Sequence, residues 1–173
     1  MVALFLGIDI AKTTFDAALL PTNASAQAKP RHKVFANTAV GFDRLALWLR
    51  QNGAAPGPVH ACMEATGTYG EALALYLREA GHTVSVVNPT QIKAFGQSQL
   101  SRTKTDKADA ALIARFCQMH QPPAWTPPPA EARALQALVR RLESLEQMRH
   151  MEHNRLEAGP ATAAVRPPAA RSG

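Results

Sequence analysis

Acidic residues are scarce in this chain: 13 Asp and Glu stand against 19 Lys and Arg among 173 residues, a net charge of +6. Cysteine is scarcer still. Only Cys62 and Cys117 occur, each inside an apolar segment and without metal-ligand spacing. A disulfide framework is therefore excluded, and a reduced, cytoplasmic chain with buried thiols is the expectation. No run approaches the ~18 apolar residues of a membrane span, so no membrane partner is expected. A signal peptide is not expected either, because Met1–Leu6 has no basic leader and the apolar stretch stops at Asp9. What remains is one sizeable core, built from a hydrophobic fraction of 46%, with room for a helical appendage.

The positive charge is unevenly placed. Residues 1–100 hold 8 Lys and Arg against 6 Asp and Glu, whereas residues 101–173 hold 11 against 7. The excess begins at Arg102, Lys104 and Lys107, beside Asp106 and Asp109. Cations that hold phosphates next to carboxylates that hold a metal fit a nucleic-acid partner. A merely solvated basic surface is the plainer alternative.

Three strand-like runs come first, Ala3–Ile10, Thr14–Leu20 and His32–Ala36, the first two joined by the short Ala11-Lys12-Thr13 connection. A helix is predicted from about Val40 to Gln51, closed by Gly53, and a buried strand over Val59–Met63. A turn-rich bend, Thr66-Gly67-Thr68-Tyr69-Gly70, leads into a second helix from about Gly70 to Ala80. The strand Thr83–Val87 stops at Asn88-Pro89 and is followed by helices near Pro89–Phe95 and Asp106–Met119. The expected domains are residues 1–121, a Pro-rich linker at 122–129, a helix at 130–157 and a disordered tail at 158–173. In the last helix Leu135, Leu138, Leu142 and Leu145 follow a three-four spacing over two heptads, which serves either a coiled coil or packing on its own domain.

The order β-β-β-α-β-α-β-α is that of an RNase H-like (RuvC-like) α/β fold, a mixed five-stranded sheet with flanking helices. Its first and fourth strands pair in parallel at the centre, joined by a helical crossover. That arrangement sets Asp9 and Glu64 side by side at strand ends. Asp106 and Asp109, three apart, share a helix face with Cβ atoms ~5–6 Å apart. Mg²⁺ or Mn²⁺ takes hard oxygen ligands of this kind, and metal-bridged oxygens serve phosphoryl transfer. Each carboxylate alone has a structural reading: a turn residue at Asp9 or Glu64, a helix cap or dipole partner at Asp106. Together, at the places the fold order predicts, they make a metal site.

These residues carry a resemblance. Gly7-Ile8-Asp9-Ile10-Ala11-Lys12 with Phe15-Asp16, Glu64-Ala65-Thr66-Gly67 with Tyr69, Val87-Asn88-Pro89, and Lys104-Thr105-Asp106-Lys107-Ala108-Asp109-Ala110 recur in order. Leu138-Val139-Arg140-Arg141 and Asn154-Arg155-Leu156 match more weakly. The chain resembles the DEDD, or RuvC-like, transposases of bacterial insertion sequences, the bridge-RNA-guided "IS one-ten" family. The resemblance puts that family's acidic tetrad on Asp9, Glu64, Asp106 and Asp109. It implies a Mg²⁺-dependent DNA recombinase partnered by a structured guide RNA, with a coiled-coil segment for homo-oligomeric assembly through residues 130–157. Lys12, Arg102, Lys104 and Lys107 are the candidate nucleic-acid contacts. The family's second, serine-bearing domain has no counterpart here, so the expectation is a truncated transposase, inactive alone, with a tail from Pro160 that reads as out of frame.

Two rivals stand beside this. An actin-like ATPase also opens on a Gly-Ile-Asp strand followed by residues such as Lys12-Thr13-Thr14, but here no later Gly-rich adenosine motif follows. A non-catalytic nucleic-acid-binding or assembly module needs only the basic charge and the last helix. Of the remaining residues, His60 reads as a satisfied core residue, Tyr69 and Trp125 as core or linker packing rather than base-stacking rings, His150 and His153 as exposed helix residues rather than metal ligands, and Asp16 as at most an outer-shell group.

Overall fold

Continuously buried apolar strands build the front of a computed structural model that describes residues 4–25, 27–54, 59–65, 68–98 and 106–158. Strand β1 (Leu4–Ile10) turns through Ala11–Thr13 into β2 (Thr14–Pro21), and the turn closes with Ala11 N–H donating to the Thr14 carbonyl at 2.9 Å. β3 (Arg31–Ala36) pairs antiparallel with β2. Helix α1 (Ala39–Gln51) then crosses over so that β4 (Val59–Glu64) joins β1 in parallel. Helix α2 (Glu71–Glu79) returns the chain to β5 (Thr83–Val87), parallel to β4. The resulting order is β3-β2-β1-β4-β5, a mixed five-stranded sheet of the RNase H-like kind.

Strands β1, β2, β4 and β5 divide their side chains between two cores. Leu4, Leu6, Ile8, Phe15 and Met63 pack with Phe42, Leu45 and Leu49 of α1 and Leu73 and Leu77 of α2. The opposite face offers Phe5, Ala18, Leu20, Cys62 and Val87 to α3 (Pro89–Ser98) and α4 (Asp106–His120). Gly7 shows how closely α4 lies on β1. A Cβ there would stand 2.1 Å from the Ala110 carbonyl oxygen and 2.2 Å from the Ala114 nitrogen.

Helix limits follow local chemistry. The Thr38 hydroxyl accepts from Gly41 N–H at 3.3 Å to cap α1, and Gly53 leaves the helix at φ 92°. Asn88-Pro89, expected to stop β5, also starts α3: Asn88 Oδ1 accepts from Thr90 N–H at 2.9 Å, and Pro89 takes the first helical position. That helix runs to Ser98, three residues past the expected end, with Phe95 buried against Phe116 and His120.

The chain divides into two compact units, Met1–Thr126 and Pro127–Gly173. In the first, the start of the Pro-rich stretch is strapped to β5. Trp125 N–H donates to the Val84 carbonyl at 2.7 Å and its ring packs on the α1–α2 core. The buried Ser85 Oγ lies 2.8 Å from the Pro122 carbonyl and 2.9 Å from that of Pro123. His60 completes the arrangement, its Nε2 2.8 Å from Ser85 Oγ, so it is a satisfied core residue. Both cysteines are free and buried. The second unit is α5 (Ala130–Ala158), where His150 and His153 are exposed and His153 reaches Glu157 at 3.3 Å. Among the described residues no helix is long and apolar enough to cross a membrane. The tail expected at 158–173 lies, beyond Ala158, outside the described residues.

Candidate functional site

The register of the central strands decides which carboxylates meet. Ile8 pairs with Met63 across the parallel β1–β4 ladder, so Asp9 and Glu64 follow on neighbouring strands and on the same face. That face is the one α4 covers, and the contact at Gly7 sets the helix's first turns, carrying Asp109, over the ends of both strands. The electrostatics agree with this placement. The Glu64 carboxyl is pushed above its ordinary value, first by burial and then by the negative charges of Asp9 and Asp109. Glu64 therefore lies within electrostatic reach of two of the other three predicted acids.

The fourth, Asp106, begins α4 one turn before Asp109; its side chain, like that of Lys107, is outside the described residues. Arg102 and Lys104 lie outside them altogether, as do Thr66 and Gly67 of the bend. Lys12 is exposed in the β1–β2 turn, close to the acidic end of the sheet. Tyr69 is also exposed, at 48%.

Two features of the site were not anticipated from the sequence. Asn37 bridges the loops that leave the two acidic strands, donating from Nδ2 to the Ala11 carbonyl at 3.1 Å and to the Tyr69 carbonyl at 3.0 Å. Asp16 is the cross-strand partner of Asp9, and its carboxylate meets His32 Nε2 of β3 at 2.5 Å. An Asn just before a helix cap and a His on an edge strand carry no sequence signal of such roles, because both partners are distant in the chain.

Asp9, Glu64 and Asp109 offer only hard carboxylate oxygens, and their mutual repulsion is what a divalent cation relieves, so the donor chemistry fits Mg²⁺ or Mn²⁺. Among the described residues, however, no three His, Cys, Asp or Glu side chains are already gathered into a group that could hold a metal ion.

A mixed sheet of this order, with acids at the ends of its central parallel strands, defines an RNase H-like domain. A family model described as "Transposase", that of the IS110-type DEDD transposases, matches residues 6–159, and the chain belongs to this family. It is 39% identical over 154 residues to a pilin gene-inverting protein of Moraxella bovis, covering 89% of this chain and 46% of that protein. The pilin gene-inverting protein of Moraxella lacunata is 38% identical over the same length, with the same coverage. The chain thus spans about half the length of the curated relatives it matches.

Proposed function

We propose that this chain is the metal-dependent catalytic part of a DNA recombinase, cutting DNA strands during transposition or site-specific inversion. The observation that carries the reading is the raised proton affinity of Glu64, produced by burial and by Asp9 and Asp109 at the end of the central parallel strands. Asp9 and Glu64 would hold the cation directly, with Asp106 and Asp109 completing the site from α4. Bound there, Mg²⁺ or Mn²⁺ supplies Lewis-acid stabilisation to the phosphate being attacked. Lys12, Arg102, Lys104 and Lys107 bind flanking phosphates and orient the scissile one. Asn37 holds the two acid-bearing loops together. Membership of the transposase family favours this reading over a nucleotide-binding ATPase.

The partners follow from the same reading: DNA as substrate, a structured RNA as guide, and further copies of the chain through residues 130–157. A specific observation supports the assembly role, since Leu135, Leu138, Leu142 and Leu145 of α5 are all exposed, at 61%, 67%, 57% and 45%. The decisive experiment is calorimetric titration with Mn²⁺ of the parent, Asp9→Asn and Glu64→Gln. Binding in the parent and its loss in both variants, with unchanged far-UV circular dichroism, is expected. Equal binding by all three proteins would remove the catalytic reading and leave a nucleic-acid-binding or assembly module.

A further inference from the structure

The two edges of the sheet are finished differently. The strap at residues 122–125 covers β5, whereas β3 ends the sheet on the other side, with Val34 50% exposed. Along β3 runs a groove of about 340 Å³, walled by Lys33, Val34 and Phe35 on one side and Arg44, Leu47 and Trp48 of α1 on the other.

The groove is cationic by construction. Arg31, Lys33 and Phe35 alternate onto one face of β3, and Arg44 is exposed on the flank of α1. The Lys33 ammonium sits 5.5 Å from the centre of the Phe35 ring, and Arg31 Nη1 donates to Asn52 Oδ1 at 2.5 Å beyond the end of α1. No carboxylate is among the residues that line the groove. Residues 29–50 contain five cations (Lys29, Arg31, Lys33, Arg44 and Arg50) and a single acid, Asp43. That acid is engaged elsewhere, accepting from the Tyr76 hydroxyl of α2 at 2.8 Å. Asp16, on the opposite face, is held by His32.

This chemistry fits a polyanion. Phe35 and Trp48 are buried, at 4% and 9% exposure, so neither presents a free ring for base stacking, and contact falls to the backbone phosphates. A groove of about 340 Å³ between one strand and one helix suits a short stretch of a single backbone better than a duplex. Arg31 and Lys33 stand about 6.8 Å apart along β3, the scale of successive phosphates. β3 is two strands from β1, about 10 Å across the sheet, but the groove lies on the α1 face and Asp9 on the α4 face, so a strand joining the two rounds the open β3 edge.

We propose that the β3–α1 groove holds the sugar-phosphate backbone of a single DNA strand, with Lys33 and Arg44 on its phosphates and Arg31 at its far end. The choice of DNA rests on the recombinase reading above; the groove itself does not use the acidic site.

The test is fluorescence anisotropy of the full chain with a labelled oligothymidylate, in EDTA so that no metal is involved. The double variant Lys33→Gln/Arg44→Gln is expected to bind at least about tenfold more weakly at low salt, with the salt-dependence slope smaller by about 1.4 for two lost single-strand contacts. Arg78→Gln, an exposed cation on α2, is expected to match the parent. Equal affinity and slope in parent and double variant would overturn the proposal. So would tighter binding of oligouridylate through the same two residues, which would make this an RNA site, or a change of sedimentation coefficient without loss of DNA binding, which would make it a contact between copies. If the double variant melts early, crosslinking of the parent to a 4-thiothymidine oligonucleotide decides instead. Adducts in residues 31–36 or 44–51 are expected, and adducts confined to other segments would overturn it. Because metal is absent throughout, failure of Mn²⁺ binding at Asp9 and Glu64 leaves this outcome readable on its own.

Discussion

At the scale of single residues, Glu64 is the most informative side chain. Its folded-state proton affinity is raised above the ordinary carboxylate value of 4.5, so the folded chain binds that proton more tightly than the unfolded chain. The resulting contribution to stability is fully present below pH 4.5 and is lost as pH rises through the raised value. In EDTA, Glu64→Gln is therefore expected to melt a few degrees above the parent at neutral pH, with the difference shrinking toward pH 4.5. Differential scanning calorimetry across that range checks this, and a lower melting point for the variant at neutral pH would contradict the electrostatic account. Gly7 is the opposite kind of residue, neutral and intolerant. Gly7→Ala drives a methyl group into backbone atoms of α4 at 2.1 and 2.2 Å, which neither element can yield without shifting. A loss of about 3 kcal/mol or more is expected in urea unfolding, together with weaker Mn²⁺ binding because Asp109 moves with the helix.

At the scale of elements, much of the sheet could be read in advance. Strands β1 and β2 are apolar runs joined by a three-residue turn, β4 and β5 are short apolar runs, and Gly53, Gly81 and Asn88-Pro89 mark the ends. Asp9 and Glu64 were legible for the same reason, since a strand-end acid keeps its place once the strand order is known. Long-range geometry was not legible. Nothing local says that α4 lies on Gly7, that Asp16 meets His32, or that residues 122–125 form a strap rather than a free connection. The strap makes its own prediction. Ser85 Oγ donates to a proline carbonyl while accepting from His60, and Ser85→Ala leaves both partners buried without it. A cost of about 1–3 kcal/mol is expected, with the Trp125 fluorescence becoming more accessible to acrylamide while that of Trp48 stays shielded. His60 and His82 are both pushed below the ordinary value of 6.5 by burial. Their contribution to stability is present above pH 6.5 and is lost as pH falls through their depressed values.

At the scale of the whole molecule, the two units call for different forces. The sheet domain buries its apolar residues on both faces, but α5 keeps Leu135, Leu138, Leu142 and Leu145 exposed, with Met148 and Met151 beyond them at 42% and 52%. A helix with one continuous apolar stripe gains most when another helix covers that stripe, and the three-four spacing matches a paired helix of the same kind. Fully burying one leucine contributes roughly 1.5–3 kcal/mol, and the four here, each 45–67% exposed, contribute in proportion toward the cost of association. Arg141 and Glu146 flank the stripe and offer both signs of charge for pairing across it. The parent chain is therefore expected to sediment as an oligomer, and Leu138→Glu/Leu142→Glu as a monomer. The two proteins should share a melting transition for the sheet domain and the same Mn²⁺ affinity, because those substitutions leave residues 1–126 untouched. A parent that stays monomeric at high micromolar concentration would reject self-assembly through α5.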